Sequence, residues 1–126
     1  MRLDQIRIMV VDDDPDIREL MTLALESEGA VVSQAMDGND AITVFKTSAP
    51  ELVVLDMMLP HRSGFLVLEH IQTSDAPPPV VMVTANEGRR HKAYAETLGV
   101  AAYLNKPVAM ARLIDTVLEQ LETRPS

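Results

Sequence analysis

Short, nearly continuous apolar runs alternate with longer amphipathic segments along the whole of this 126-residue chain. The runs cover residues 6–11, 30–35, 52–55, 80–83 and 101–105. A strand that is apolar at consecutive positions is covered on both faces. That points to a parallel sheet lying between two layers of helices. The length suits one domain with one sheet and not two typical domains. Aromatic residues make up only 3% of the chain, so the core has to be mostly aliphatic.

The segments between the runs carry helical signals. Ile17, Leu20, Met21, Ala24 and Leu25 recur at helical spacing, with Asp14 as a candidate N-cap, Pro15 in the first turn and Gly29 at the stop. Asp37-Gly38-Asn39 reads as a turn ahead of a short stripe at Ala41, Ile42 and Phe45. Residues 60–64 read as a loop, followed by a helix marked by Phe65, Leu68 and Ile71. Pro77, Pro78 and Pro79 form a stiff connector. A polar helix is expected over roughly 87–98, ended by Gly99, and a last one carries Leu113, Ile114, Val117, Leu118 and Leu121. The expected product is a single α/β domain over residues 1–126, five βα units doubly wound. Its core spans about 6–121, and 122–126 form a tail or the start of a linker.

Composition removes several functions. The chain has no cysteine, which excludes disulfides, Cys–zinc sites and thiol catalysis. Nineteen acids against 11 bases give a net charge of −8, which argues against a nucleic-acid surface or a polybasic membrane patch. No apolar run is long enough to span a bilayer and no signal peptide is visible, so the expected compartment is the cytoplasm.

Open parallel sheets place their sites at the carboxyl ends of the strands. Here the first strand ends in Asp12-Asp13-Asp14, the third in Asp56, the fourth in Thr84 and the fifth beside Lys106. Singly, each has a bland reading: an N-cap for Asp14, a turn former for Asp56, an ordinary turn for Lys106-Pro107. Together they gather carboxylates, a hydroxyl and an ammonium on one edge. Clustered carboxylates repel unless a cation offsets them. A hard divalent ion with oxygen ligands suits that need, a lysine suits a phosphoryl group, and a carboxylate can act as a nucleophile.

With these motifs in order, the chain resembles a response-regulator receiver domain of two-component signalling, chemotaxis-regulator-like, over nearly its whole length. The resemblance rests on Val10-Val11-Asp12-Asp13-Asp14-Pro15, Leu55-Asp56-Met57-Met58-Leu59-Pro60 with Gly64-Phe65, Val83-Thr84-Ala85 and Tyr103-Leu104-Asn105-Lys106-Pro107. It implies strand order 2-1-3-4-5 and a phosphoacceptor at Asp56, loaded by a partner histidine kinase or phosphotransfer protein. It implies Mg²⁺, or Mn²⁺, held by Asp12, Asp13, Asp56 and the main-chain carbonyl of Met58. Thr84 and Lys106 would contact the phosphoryl group, Thr84 and Tyr103 would act as the switch, and Pro107 would follow a cis peptide. The readout would be the surface of the fourth helix, fifth strand and last helix. It would address an effector or a covalent output domain, in a monomer or a phosphorylation-dependent dimer.

The chain departs from the family pattern at His61-Arg62-Ser63-Gly64, where many relatives have a Gly or Asp-Gly turn. It departs again at Ala101-Ala102, where two acids are common, and at Val108, where phenylalanine is usual. His61 is read as an exposed loop residue, and Arg89, Arg90 and Lys92 as a solvated helix face. Two rival functions are a pseudo-receiver interaction module and an aspartate-dependent phosphohydrolase using Asp12 and Asp14. The second leaves Asp56 and Lys106-Pro107 unexplained.

Overall fold

The computed structural model describes residues 1–85 and 88–123. Five strands alternate with five helices: β1 (Arg7–Val11), α1 (Pro15–Glu26), β2 (Val31–Ala35), α2 (Gly38–Ser48), β3 (Leu52–Leu55), α3 (Gly64–Gln72), β4 (Val80–Thr84), α4 (Arg89–Thr97), β5 (Ala102–Asn105) and α5 (Met110–Thr123). All strand pairs are parallel and the order is β2-β1-β3-β4-β5, the doubly wound arrangement expected.

The burial of the strands follows their place in the sheet. β3 and β4 are buried at every position, and β1 at all but its first. The edge strands β2 and β5 are only partly covered. Alternate side chains feed two cores. Ile8, Val10, Leu52, Val54, Val81 and Val83 face Met21 and Leu25 of α1 and Leu113 and Val117 of α5. Met9, Val11, Val53, Leu55 and Met82 face Ala41 of α2, Val67, Leu68 and Ile71 of α3, and Ala95 of α4.

Several local expectations are corrected. Asp37-Gly38-Asn39 is a helix start: the Asp37 carboxylate accepts from the Asp40 amide at 2.8 Å and caps α2. Gly64 opens α3 rather than closing a loop, capped by Ser63. Leu20 leaves the predicted stripe and is 54% exposed, because it lies a quarter-turn away from Met21. β2 starts at Val31 and β5 at Ala102, each one residue later than read. α5 runs on through Thr123, beyond the expected end of the core at 121; residues 124–126 of the predicted tail lie outside the described residues. Glu87, the expected start of the polar helix, also lies outside them, and α4 is described from Arg89. That helix buries only Ala95 and carries Arg89 and Arg90 at the positive end of its dipole.

The turn between β3 and α3 is tight enough to require glycine. A Cβ on Gly64 would overlap the main-chain carbonyl oxygen of Asp56, and the Gly64 amide donates to the Met57 carbonyl at 2.9 Å. Gly64→Ala is therefore expected to cost about 1–3 kcal/mol of stability, measurable by urea unfolding. An unchanged midpoint would show that the turn yields easily.

Candidate functional site

The carboxyl ends of β1 and β3 are neighbours in the centre of the sheet, with Val11 in register with Leu55. The residues that follow, Asp12 and Asp56, are therefore placed side by side, and both are buried. The Lys106 ammonium, arriving from the end of β5, donates to Asp12 Oδ2 at 2.7 Å and to Asp56 Oδ2 at 3.0 Å. The other oxygens are also engaged: Asp12 Oδ1 accepts from the Asp14 amide at 2.9 Å, and Asp56 Oδ1 from the Met58 amide at 3.1 Å.

Asp13 completes the cluster. It is exposed, and oxygens of Asp12, Asp13 and Asp56 all lie within 4.8 Å of one another. Among the described residues its carboxylate has no hydrogen-bond or ion-pair partner. Three ionised carboxylates and one ammonium leave two net negative charges in a small volume, all on hard oxygen donors. That donor set fits a divalent cation such as Mg²⁺.

The electrostatics follow from burial. Desolvation is the strongest influence on Asp12 and raises its pKa above the ordinary carboxylate value. The bonds from Lys106 and the Asp14 amide pull the other way without overcoming it, and the nearby Asp56 charge adds to the rise. Burial also opposes the Lys106 ammonium, but the bonds to Asp12 and Asp56, with the attraction of both charges, outweigh it and hold the lysine above its usual value. Tyr103 is raised by burial and then by the negative charge of Asp56.

The remaining predicted residues lie around this centre. Thr84 ends β4 fully buried, and its carbonyl accepts from the Lys106 amide at 2.8 Å. Tyr103 is half-buried, in register with Met82 and packed on the core of the α2–α3–α4 face. The Lys106–Pro107 peptide is cis. Met58 follows Asp56 in the same turn with its side chain 59% exposed. Asp14 takes the structural role considered for it, accepting from the Asp16 and Ile17 amides as the N-cap of α1. His61 is exposed with φ +68°, and its Nε2 is 3.9 Å from Asp37 Oδ2. His91 stacks on Phe65 with centroids 6.1 Å apart. Arg89, Arg90 and Lys92 are exposed on α4.

Sequence reasoning missed Arg18. It donates from Nη1 to the Asp12 carbonyl at 2.8 Å and from Nε to Gln34 Oε1 at 3.1 Å. A lone arginine on an amphipathic helix gives no signal of this, because its partner is a main-chain atom. A cavity of about 900 Å³ lies at the opposite end of the strands, lined by residues that include Pro50, Gln72, Pro77 and Gly99, and none of the site residues lines it.

The sequence matches the family described as the response regulator receiver domain over residues 8–118. The chain belongs to the response-regulator receiver family. The receiver is 35% identical over 109 residues to the transcriptional regulatory protein TrcR of Mycobacterium tuberculosis, covering 86% of this chain and 42% of that protein. It is 33% identical over 121 residues to the transcriptional regulatory protein DltR of Streptococcus agalactiae, covering 96% of this chain and 53% of that one. The chain thus spans about half the length of these relatives. Its fold superposes on a CheY-like receiver domain from Methanospirillum hungatei with a TM-score of 0.90 and 27% identity, covering 94% and 95% of the two chains. It also superposes on the signal receiver domain of a NarL response regulator from Mycobacterium tuberculosis, with a TM-score of 0.88 and 28% identity, over 96% and 99%. Receivers are signalling domains rather than classical enzymes. No helix among the described residues of this one is long and apolar enough to cross a membrane.

Proposed function

We propose that this receiver is a phosphorylation-operated switch whose phosphoacceptor is Asp56, loaded from a phosphohistidine on a partner kinase or phosphotransfer protein. The observation that carries the reading is the Lys106 ammonium bridging Asp12 and Asp56 beside the exposed carboxylate of Asp13. In the transfer, a carboxylate oxygen of Asp56 forms the new bond to phosphorus. The phosphorus–nitrogen bond of the donor breaks and its electron pair stays on the imidazole. Asp12, Asp13, Asp56 and the Met58 carbonyl would hold Mg²⁺, or Mn²⁺, which when bound neutralises charge on the phosphoryl oxygens.

The chain's own residues do the rest. Asp12 holds Lys106 at the acceptor, so the lysine stands ready for a phosphoryl oxygen. The added group brings about −1.5 to −2 charge and strong acceptor oxygens. Lys106 and the Thr84 hydroxyl then bind the loaded state better than the empty one, and only such differential contacts can shift a conformational equilibrium. Movement of Thr84, with Tyr103 beside it, would carry the change to the α4–β5–α5 surface. Since the chain spans about half of relatives named as transcriptional regulators, that surface would address a covalent output domain or a separate effector.

The test is incubation with acetyl phosphate and Mg²⁺ followed by intact mass measurement. The expected result is a gain of one phosphoryl group that disappears when EDTA is present. A folded protein that gains nothing would instead be an interaction module. Mg²⁺ alone should raise the melting temperature by binding only the folded state. At tenfold excess over Kd, mass action gives about 1.4 kcal/mol, or about 4–6 °C for a domain of this size. No shift at millimolar Mg²⁺ would count against the cation site.

A further inference from the structure

We propose that Arg18 is the positioning residue for Asp13, and through it sets the affinity of the acid cluster for a divalent cation. The proposal rests on the reading of Asp12, Asp13 and Asp56 as that cation's site.

Asp13 is the carboxylate of the cluster most open to an incoming ion, and it has no side-chain partner among the described residues to aim it. Its direction must come from the backbone. The two peptide planes that flank a residue set its φ and ψ, and each plane is rigid. Both planes around Asp13 are held by side chains. The carbonyl of the peptide before it, on Asp12, accepts from Arg18 Nη1 at 2.8 Å. The amide of the peptide after it, on Asp14, donates to Asp12 Oδ1 at 2.9 Å. Fixing one carbonyl and the next N–H fixes the direction in which Asp13 Cβ leaves the chain.

The arginine is itself well anchored. Its own amide donates to the Asp14 carbonyl at 2.9 Å in the first turn of α1. Its side chain turns back over the loop, half-buried, and its Nε donates to Gln34 Oε1 on β2 at 3.1 Å. Arg18 thus ties the loop that bears Asp13 to the neighbouring strand, next to the bond from the Asp12 amide to the Ala35 carbonyl at 3.2 Å. Groups that orient metal ligands from outside the coordination sphere commonly change metal affinity by about 10–100-fold when removed.

Charge and positioning predict opposite signs. Arg18 is a cation near a cation site, so on charge alone its removal would tighten Mg²⁺ binding. If Arg18 acts by holding the peptide before Asp13, its removal must weaken binding. Arg18→Lys keeps the charge but lacks the planar fork that serves the Asp12 carbonyl and Gln34 together, so it should also bind more weakly than the parent.

The experiment is calorimetric titration of the unphosphorylated full chain with MgCl₂ at constant ionic strength, for the parent, Arg18→Gln, Arg18→Lys and Gln34→Leu, with far-UV circular dichroism to confirm folding. The expected result is about tenfold or more weaker Mg²⁺ binding by Arg18→Gln, a clear weakening by Arg18→Lys, and a smaller one by Gln34→Leu. Equal or tighter binding by Arg18→Gln overturns the proposal, as does a lowered melting temperature with unchanged Kd, which would mark a purely structural role. If the Arg18 variants fail to fold, an unchanged Kd in Gln34→Leu overturns it. Absence of Mg²⁺ binding by the parent would instead defeat the cation-site reading on which the proposal rests.

Discussion

Asp56→Asn is expected to take up no phosphoryl group from acetyl phosphate and Mg²⁺ under conditions that label the parent fully. The substitution keeps the size of the side chain and one oxygen. It removes the anionic nucleophile, and a neutral amide cannot supply an acyl phosphate. The variant should fold. Asp56 Oδ1 accepts from the Met58 amide, a bond that the asparagine carbonyl can also accept. Loss of one of two buried carboxylates also relieves the repulsion that Lys106 offsets. Intact mass measurement decides the matter. A phosphoryl gain equal to that of the parent would move the acceptor elsewhere, with Asp13 as the exposed remaining carboxylate of the cluster.

Lys106→Met should lower the free energy of unfolding at neutral pH without Mg²⁺ by about 3–5 kcal/mol, the usual result of removing one partner from a buried ion pair. Methionine fills the space of the lysine stem but leaves Asp12 and Asp56 charged, buried and close together. The loss should depend on pH in a defined direction. Burial already raises the Asp12 pKa above its ordinary 3.8, so this group contributes stability at low pH that is lost as pH rises through its value in the folded protein. Removing the lysine strengthens that rise. The gap between parent and variant should thus be smallest where Asp12 is protonated and widen as pH climbs through its value in the folded protein. Mg²⁺ should recover part of it, giving a larger thermal shift in Lys106→Met than in the parent. Urea unfolding at several pH values checks the first statement and thermal melts with MgCl₂ the second. A gap that does not change with pH would mean that Lys106 acts by packing alone.

Much of this architecture was legible before the structure, for a physical reason. Leu52-Val53-Val54-Leu55 and Val80-Val81-Met82-Val83 have no polar face, so only a sheet covered on both sides accommodates them. Their carboxyl ends locate Asp56 and Thr84 without further information. Local chemistry was harder to read. Asp37-Gly38 can open a turn or cap a helix, because the same carboxylate-to-amide bond serves both, and only the continuing register of α2 decides. Leu20 fits a helical spacing and yet points outward, since adjacent residues on a helix differ by about 100°. The bond from Lys106 to Asp12 was not foreseen, although both residues were assigned to one edge. Arg18 left no trace in the sequence, because hydrogen bonds to main-chain carbonyls ask nothing of the partner's identity.

The ion pair between Lys106 and Asp12 joins residues 94 positions apart. A ribosome therefore delivers the acids of the two central strands long before it delivers their internal counterion. A nascent or truncated chain that stops short of residue 102 carries Asp12 and Asp56 with neither Lys106 between them nor the fifth strand at the edge of the sheet. The site thus acquires its internal counterion only after both buried acids have been made, and a protease that removes the last strand and helix would take that counterion with them.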